Sequence, residues 1–132
     1  MSNLQQLVPK HKHDLEVINK LRELKNNEVD ISSIMDDLFD WLQDINWPVA
    51  QELCKVLPRY KADDLLPRIY MVLNSDDECW QYSCIYFLIP NLNTDLLNEV
   101  KDELLRIIQN PTPNEVLSEI NQVAKEIFES IF

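Results

Sequence analysis

Apolar residues recur at three- and four-residue spacing along almost the whole chain, the period of helices that bury a single stripe. The first stripe is Leu15, Ile18, Leu21 and Leu24, opened by His13 or Asp14 and broken by Asn26-Asn27. Asp30 stands as an N-cap before Ile31, Ile34, Met35, Leu38, Phe39 and Leu42. Asn46 is placed to cap a third helix, with Pro48 in a first turn where its missing N–H costs little; Val49, Leu53, Val56 and Leu57 then face inward as far as Pro58. With Asp64 as N-cap, Pro67 falls at the third helical position, and the segment runs through Ile69, Val72 and Leu73 to Asn74. Ser75-Asp76-Asp77-Glu78 fits a capping box for a helix continuing through Cys84, Ile85 and Leu88 to Pro90. Thr94 or Asp95 starts the next, with Leu96, Val100, Leu104 and Ile107 in register. Thr112-Pro113-Asn114-Glu115 combines a capping box with proline at the first helical position, ahead of Val116, Ile120, Val123 and Ile127 as one buried stripe. The pattern predicts an all-α chain of about seven helices joined by short polar turns, antiparallel and stacked pairwise, with no strand. It is read as a single domain over residues 1–132, with 1–10 loosely ordered and Phe128, Ile131 and Phe132 capping the stack.

Two stretches repeat each other 33 residues apart, Asp44-Ile45-Asn46-Trp47-Pro48-Val49 and Asp77-Glu78-Cys79-Trp80-Gln81-Tyr82. In each an aspartate precedes a tryptophan by three positions, and an apolar or aromatic residue follows two positions later. A period in this range belongs to stacked helix pairs, so the expected architecture is a HEAT-like α-solenoid.

Composition narrows the functions available. Three cysteines without a close C-x-x-C pair point to free thiols in a reducing compartment, hence the cytoplasm. No apolar run approaches the roughly 20 residues that cross a bilayer, and the first residues lack the features of a secretory signal. The chain contains no glycine, which removes the P-loop, the dinucleotide fingerprint and the G-x-S-x-G elbow together. Net charge is −11, divided as +2 over residues 1–25 (five Lys/Arg, three Asp/Glu) and −13 over 26–132 (seven against twenty). An acidic body repels phosphate backbones and anionic lipid, so neither nucleic acid nor membrane is an expected partner, and a base-handling HEAT protein is excluded with them. The acidity itself is read as serving solubility.

Val8-Pro9-Lys10-His11-Lys12-His13-Asp14, Trp41-Leu42-Gln43-Asp44-Ile45-Asn46-Trp47-Pro48-Val49-Ala50, Asp76-Asp77 with Trp80, and Pro111-Thr112 with Glu115 together resemble the bacterial family called domain of unknown function 5071. The resemblance spans nearly the whole chain. It implies a HEAT-like helical fold and no activity, so no catalytic residue is carried over. The chain departs from the resemblance at Trp80-Gln81-Tyr82, where a lysine or arginine is expected after the tryptophan.

Three constellations remain. Lys10, His11, His13 and Asp14 offer two nitrogens and an oxygen to a divalent ion, but the plainer reading makes His13 or Asp14 a helix cap. The acids Glu28, Asp30, Asp36, Asp37, Asp40 and Asp44 form a run without Lys or Arg. If the repeat is structural, Asp44 lines one edge of the stack with Asp77, beside Asp76. Such carboxylates suit acid–base chemistry, though capping is the commoner use of aspartate there. All three tryptophans are expected in the core, Trp47 and Trp80 as wedges between helix pairs, while Trp41, one step off its stripe, is the best candidate of the three for partial exposure. Cys54, Cys79 and Cys84 are expected to be buried and unreactive. Lys10, His11, His13, Asp14, Trp41, Asp44, Trp47, Asp76, Asp77 and Trp80 define a candidate binding surface for a protein or peptide, basic in character, with no catalytic residue, metal or cofactor assigned; the sequence leaves oligomeric state open. The competing reading is a metal-dependent hydrolase built on His11, His13, Asp14 and the acidic edge.

Overall fold

The computed structural model describes residues 4–24 and 30–132, so the expected Asn26-Asn27 break and the acid Glu28 lie outside the described residues. Among the described residues every regular element is helical. Eight α-helical segments follow in order: α1 Leu15–Glu23, α2 Met35–Asp40, α3 Pro48–Val56, α4 Ala62–Leu73, α5 Glu78–Tyr82, α6 Thr94–Gln109, α7 Pro113–Leu117 and α8 Ile120–Ile131. One more than the pattern predicted arises because the last predicted helix is two. Glu119 takes a left-handed backbone (φ 62°) that ends α7 and starts α8, so Val116 faces solvent instead of joining the Ile120–Ile127 stripe.

Packing follows a regular order. Helix α2 packs on α4, α4 on α6 and α6 on α8, while α1 packs on α3 and α3 on the continuation of α5. Helices α1, α2, α4 and α6 thus meet the helix two places along, and α8 also closes against α5. One buried apolar cluster runs through these contacts, from Val17 and Ile18 to Ala124 and Ile127. At the start of the chain, Leu4–Leu7 forms a single 3-10 turn, and Leu4, Leu7 and Val8 pack against that cluster.

Local chemistry moved several predicted starts. Helix α4 begins after Lys61, which leaves Pro67 inside the helix instead of in its first turn. A proline there forfeits one backbone bond. Its neighbour Arg68 donates to the Asp64 carbonyl (3.3 Å) and reaches across to Asp36 (2.8 Å), tying α4 to α2. Asp77, not Ser75, caps α5, its carboxylate accepting the Trp80 N–H at 3.1 Å. Asp14 does not cap α1 through its side chain, which reaches back to the Lys10 N–H at 3.0 Å. Helix α5 then widens into a π-helical stretch, Ser83–Leu88, before a 3-10 turn at Ile89–Asn91.

A buried polar cluster joins the ends of α4 to α7. Glu115, with a side chain 1% exposed, receives both terminal nitrogens of Arg106 (2.7 and 3.0 Å), the Gln81 amide (2.7 Å) and the Thr112 N–H (2.8 Å). Arg106 and Gln81 also donate to the Leu73 carbonyl at 3.0 and 2.9 Å. Burial pushes the Glu115 carboxyl up, but the donors from Arg106, Thr112 and Gln81 outweigh it and hold the group below its ordinary 4.5. A depressed carboxyl stabilises the fold above about pH 4.5, and that contribution disappears as pH falls through the folded-state value.

Denaturant titration of Arg106→Met is expected to show a loss of about 3 kcal/mol at neutral pH, since it strands a buried carboxylate. The loss should shrink as pH falls, once the carboxyl stranded in the variant takes up a proton. An equal loss at every pH would show that the effect does not come from the charge pairing.

Candidate functional site

Three internal segments converge on one groove. The loop of residues 44–46, the first turn of α5 and the break between α7 and α8 line a cavity of about 330 Å³. Ile45, Tyr82 and Ile120 supply apolar surface to it, and Asp44 and Glu78 supply carboxylates. Each wall is fixed locally. The Asp44 carboxylate accepts the Asn46 N–H (2.9 Å) and its carbonyl the Trp47 N–H (3.2 Å), while Gln51 donates to the Ile45 carbonyl (3.0 Å). Glu78 accepts from the Asn114 amide at 3.1 Å, which holds its carboxyl below the usual range and keeps it ionised. Asn114 in turn donates to the Asp76 carbonyl (2.9 Å), so the cluster around Glu115 positions the groove's acidic mouth.

Cys79 sits at that mouth with its side chain exposed, contrary to the expectation of a buried thiol; Cys54 and Cys84 are buried. Desolvation raises the Cys79 pKa first, and Glu78, Asp77 and Asp44 raise it further. Asp44 and Asp77 therefore act on the same thiol. Burial pushes Cys54 up to about 12 and Cys84 higher still.

The repeat does not make Asp44 and Asp77 structurally equivalent. Asp77 is the N-cap of α5, which places Trp80 at its third position, whereas Trp47 is itself the N-cap of α3. The tryptophans differ accordingly. Trp47 meets Trp41 edge-on (centroids 5.4 Å apart, 72°), and Trp80 donates its indole N–H to the Phe39 carbonyl at 2.9 Å. All three are half-buried and pack against the apolar cluster at its edge. Asp76 lies apart from the groove lining. It takes a left-handed backbone (φ 60°), accepts the Thr112 hydroxyl at 2.6 Å, and borders a hollow of about 230 Å³ with Arg106 and Asn110.

Lys10, His11 and Asp14 line a separate hollow on the first turn of α1, with Gln6, Glu16 and Lys20. His13 is exposed, and its N–H donates to His11 Nδ1 at 3.3 Å. The Lys12 carbonyl accepts the Val49 N–H (3.1 Å) and pins this segment to α3. Among the described residues, no group of three His, Cys, Asp or Glu side chains is arranged to hold a metal ion. Among the described residues, no helix is long and apolar enough to cross a membrane.

The model of the family described as Domain of unknown function (DUF5071) matches residues 7–128, and the chain belongs to that family. No curated protein matches it.

Native protein treated with an aromatic disulfide reagent is expected to react at Cys79 alone, Cys54 and Cys84 following only on unfolding. Asp44→Asn with Glu78→Gln should lower the Cys79 pKa and speed its reaction about two- to threefold at neutral pH. Simultaneous reaction of all three thiols, or an unchanged rate in the double variant, would contradict this geometry.

Proposed function

We propose that the protein is a cytoplasmic, single-domain HEAT-like module that docks a basic segment of a partner protein in the groove between residues 44–46, α5 and the α7–α8 break. The observation that carries this reading is the groove's chemistry: an apolar floor of Ile45, Tyr82 and Ile120 leads to a mouth where both charged lining residues, Asp44 and Glu78, are acidic. A bound basic side chain buries its stem on such a floor and meets opposite charge at the rim. The whole chain biases the encounter the same way, at a net charge of −11.

The repeat-module part of the reading is supported by packing order, with α1 on α3, α2 on α4, α4 on α6 and α6 on α8. Stacks built in that way present continuous grooves to their partners, and this step is an analogy from architecture. Three unpaired cysteines support a reducing compartment. The hydrolase reading receives no comparable support: Asp14 Oδ2 and His11 Nδ1 accept backbone N–H groups of the turn that leads into α1.

A nonapeptide of alternating lysine and serine, titrated calorimetrically into the full chain, is expected to bind with an affinity that falls as salt rises. Asp44→Asn with Glu78→Gln keeps the acceptor atoms that hold both turns and removes both charges. It should weaken binding about tenfold. Undiminished binding by that variant, or affinity indifferent to salt, would remove the proposal.

A further inference from the structure

We infer that the groove selects arginine over lysine, with Tyr82 as the platform on which a guanidinium lies. The inference rests on the docking reading above and adds the identity of the side chain that is read.

Tyr82 is the last residue of α5, and the π-helical stretch Ser83–Leu88 follows it directly. A π-helical insertion is uncommon and concentrates at functional positions. Here it accompanies a close aromatic cluster. Tyr82 and Tyr86 stack with ring centroids 5.4 Å apart and planes 15° from parallel, and Phe87 meets Tyr82 edge-on at 5.9 Å. Tyr82 is thus braced by two aromatic neighbours while it lines the groove.

The carboxylates complete the selection. Asp44 accepts the Asn46 N–H and Glu78 the Asn114 amide, and a carboxylate retains lone pairs for further donors. A guanidinium satisfies both features at once: its flat face rests on the aromatic ring, and its N–H fork donates in plane to carboxylates. An ammonium is a compact, strongly hydrated point charge and gains the attraction without the stacking or the fork.

The test compares two nonapeptides, arginine alternating with serine and lysine alternating with serine, at one ionic strength against the full chain. The arginine peptide is expected to bind about tenfold tighter. Tyr82→Leu should bring its affinity down to that of the lysine peptide and change the latter by less than about twofold, while Tyr82→Phe keeps the preference. Wild-type protein provides a readout independent of any variant: the δ-methylene protons of bound arginine should shift upfield in the ring current of Tyr82. Equal affinities for the two peptides, a preference that survives Tyr82→Leu, or arginine protons that do not move would each overturn the inference and leave the docking reading standing. Failure of both peptides to bind would remove the docking reading, and the inference with it.

Discussion

A carboxylate taken out of water must be met by donors, and Glu115 is met from three directions. Arg106 arrives from α6, Gln81 from α5, and the Thr112 N–H from the start of α7 itself. Because Arg106 and Gln81 also share the Leu73 carbonyl, the end of α4 is held in the same cluster. The position of α7 follows from this, and with it the break that brings Ser118 and Ile120 to the groove. Asn114, one residue before Glu115, carries the effect to the other wall by holding Asp76 and Glu78.

The lack of glycine shapes the same region. Left-handed backbone is most easily adopted by glycine, and here it falls on Asp76 and Glu119. Asp76 tolerates it better than most residues and is further secured by Thr112 and Asn114. Glu119 has no such compensation in its side chain's chemistry, yet its turn is what separates α7 from α8. The Glu119 turn lies between the groove-lining Ser118 and Ile120, so the unusual composition bears on the site as well as on the helix ends.

Much of the helical order was legible in the sequence because apolar periodicity and capping chemistry coincide. The capping box at Thr112 and Glu115 is present with Pro113 at the first helical position, as the pattern predicts. Periodicity was blind to the rest for identifiable reasons. A stripe continues on paper across Ser118 and Glu119, since only the backbone angle at Glu119 breaks it. Gln81 and Arg106 are polar residues on helices and read as solvent-facing until a buried partner is known. The matching Asp-x-x-Trp pairs pointed to the right turns but to a false equivalence, because one aspartate caps its helix and the other closes the preceding loop. Within the groove, Asp44 was legible and Tyr82 was not, although its four-residue spacing from Tyr86 was a signal available to find it.

The claim that a basic segment docks in this groove is tested most directly by nuclear magnetic resonance of the isotope-labelled chain during titration with the lysine–serine peptide. The account predicts that amide shifts concentrate at residues 44–46, 78–82 and 118–120, with the hollow at Lys10, His11 and Asp14 unmoved. Shifts that spread evenly over the acidic surface, or that gather around α1, would contradict it.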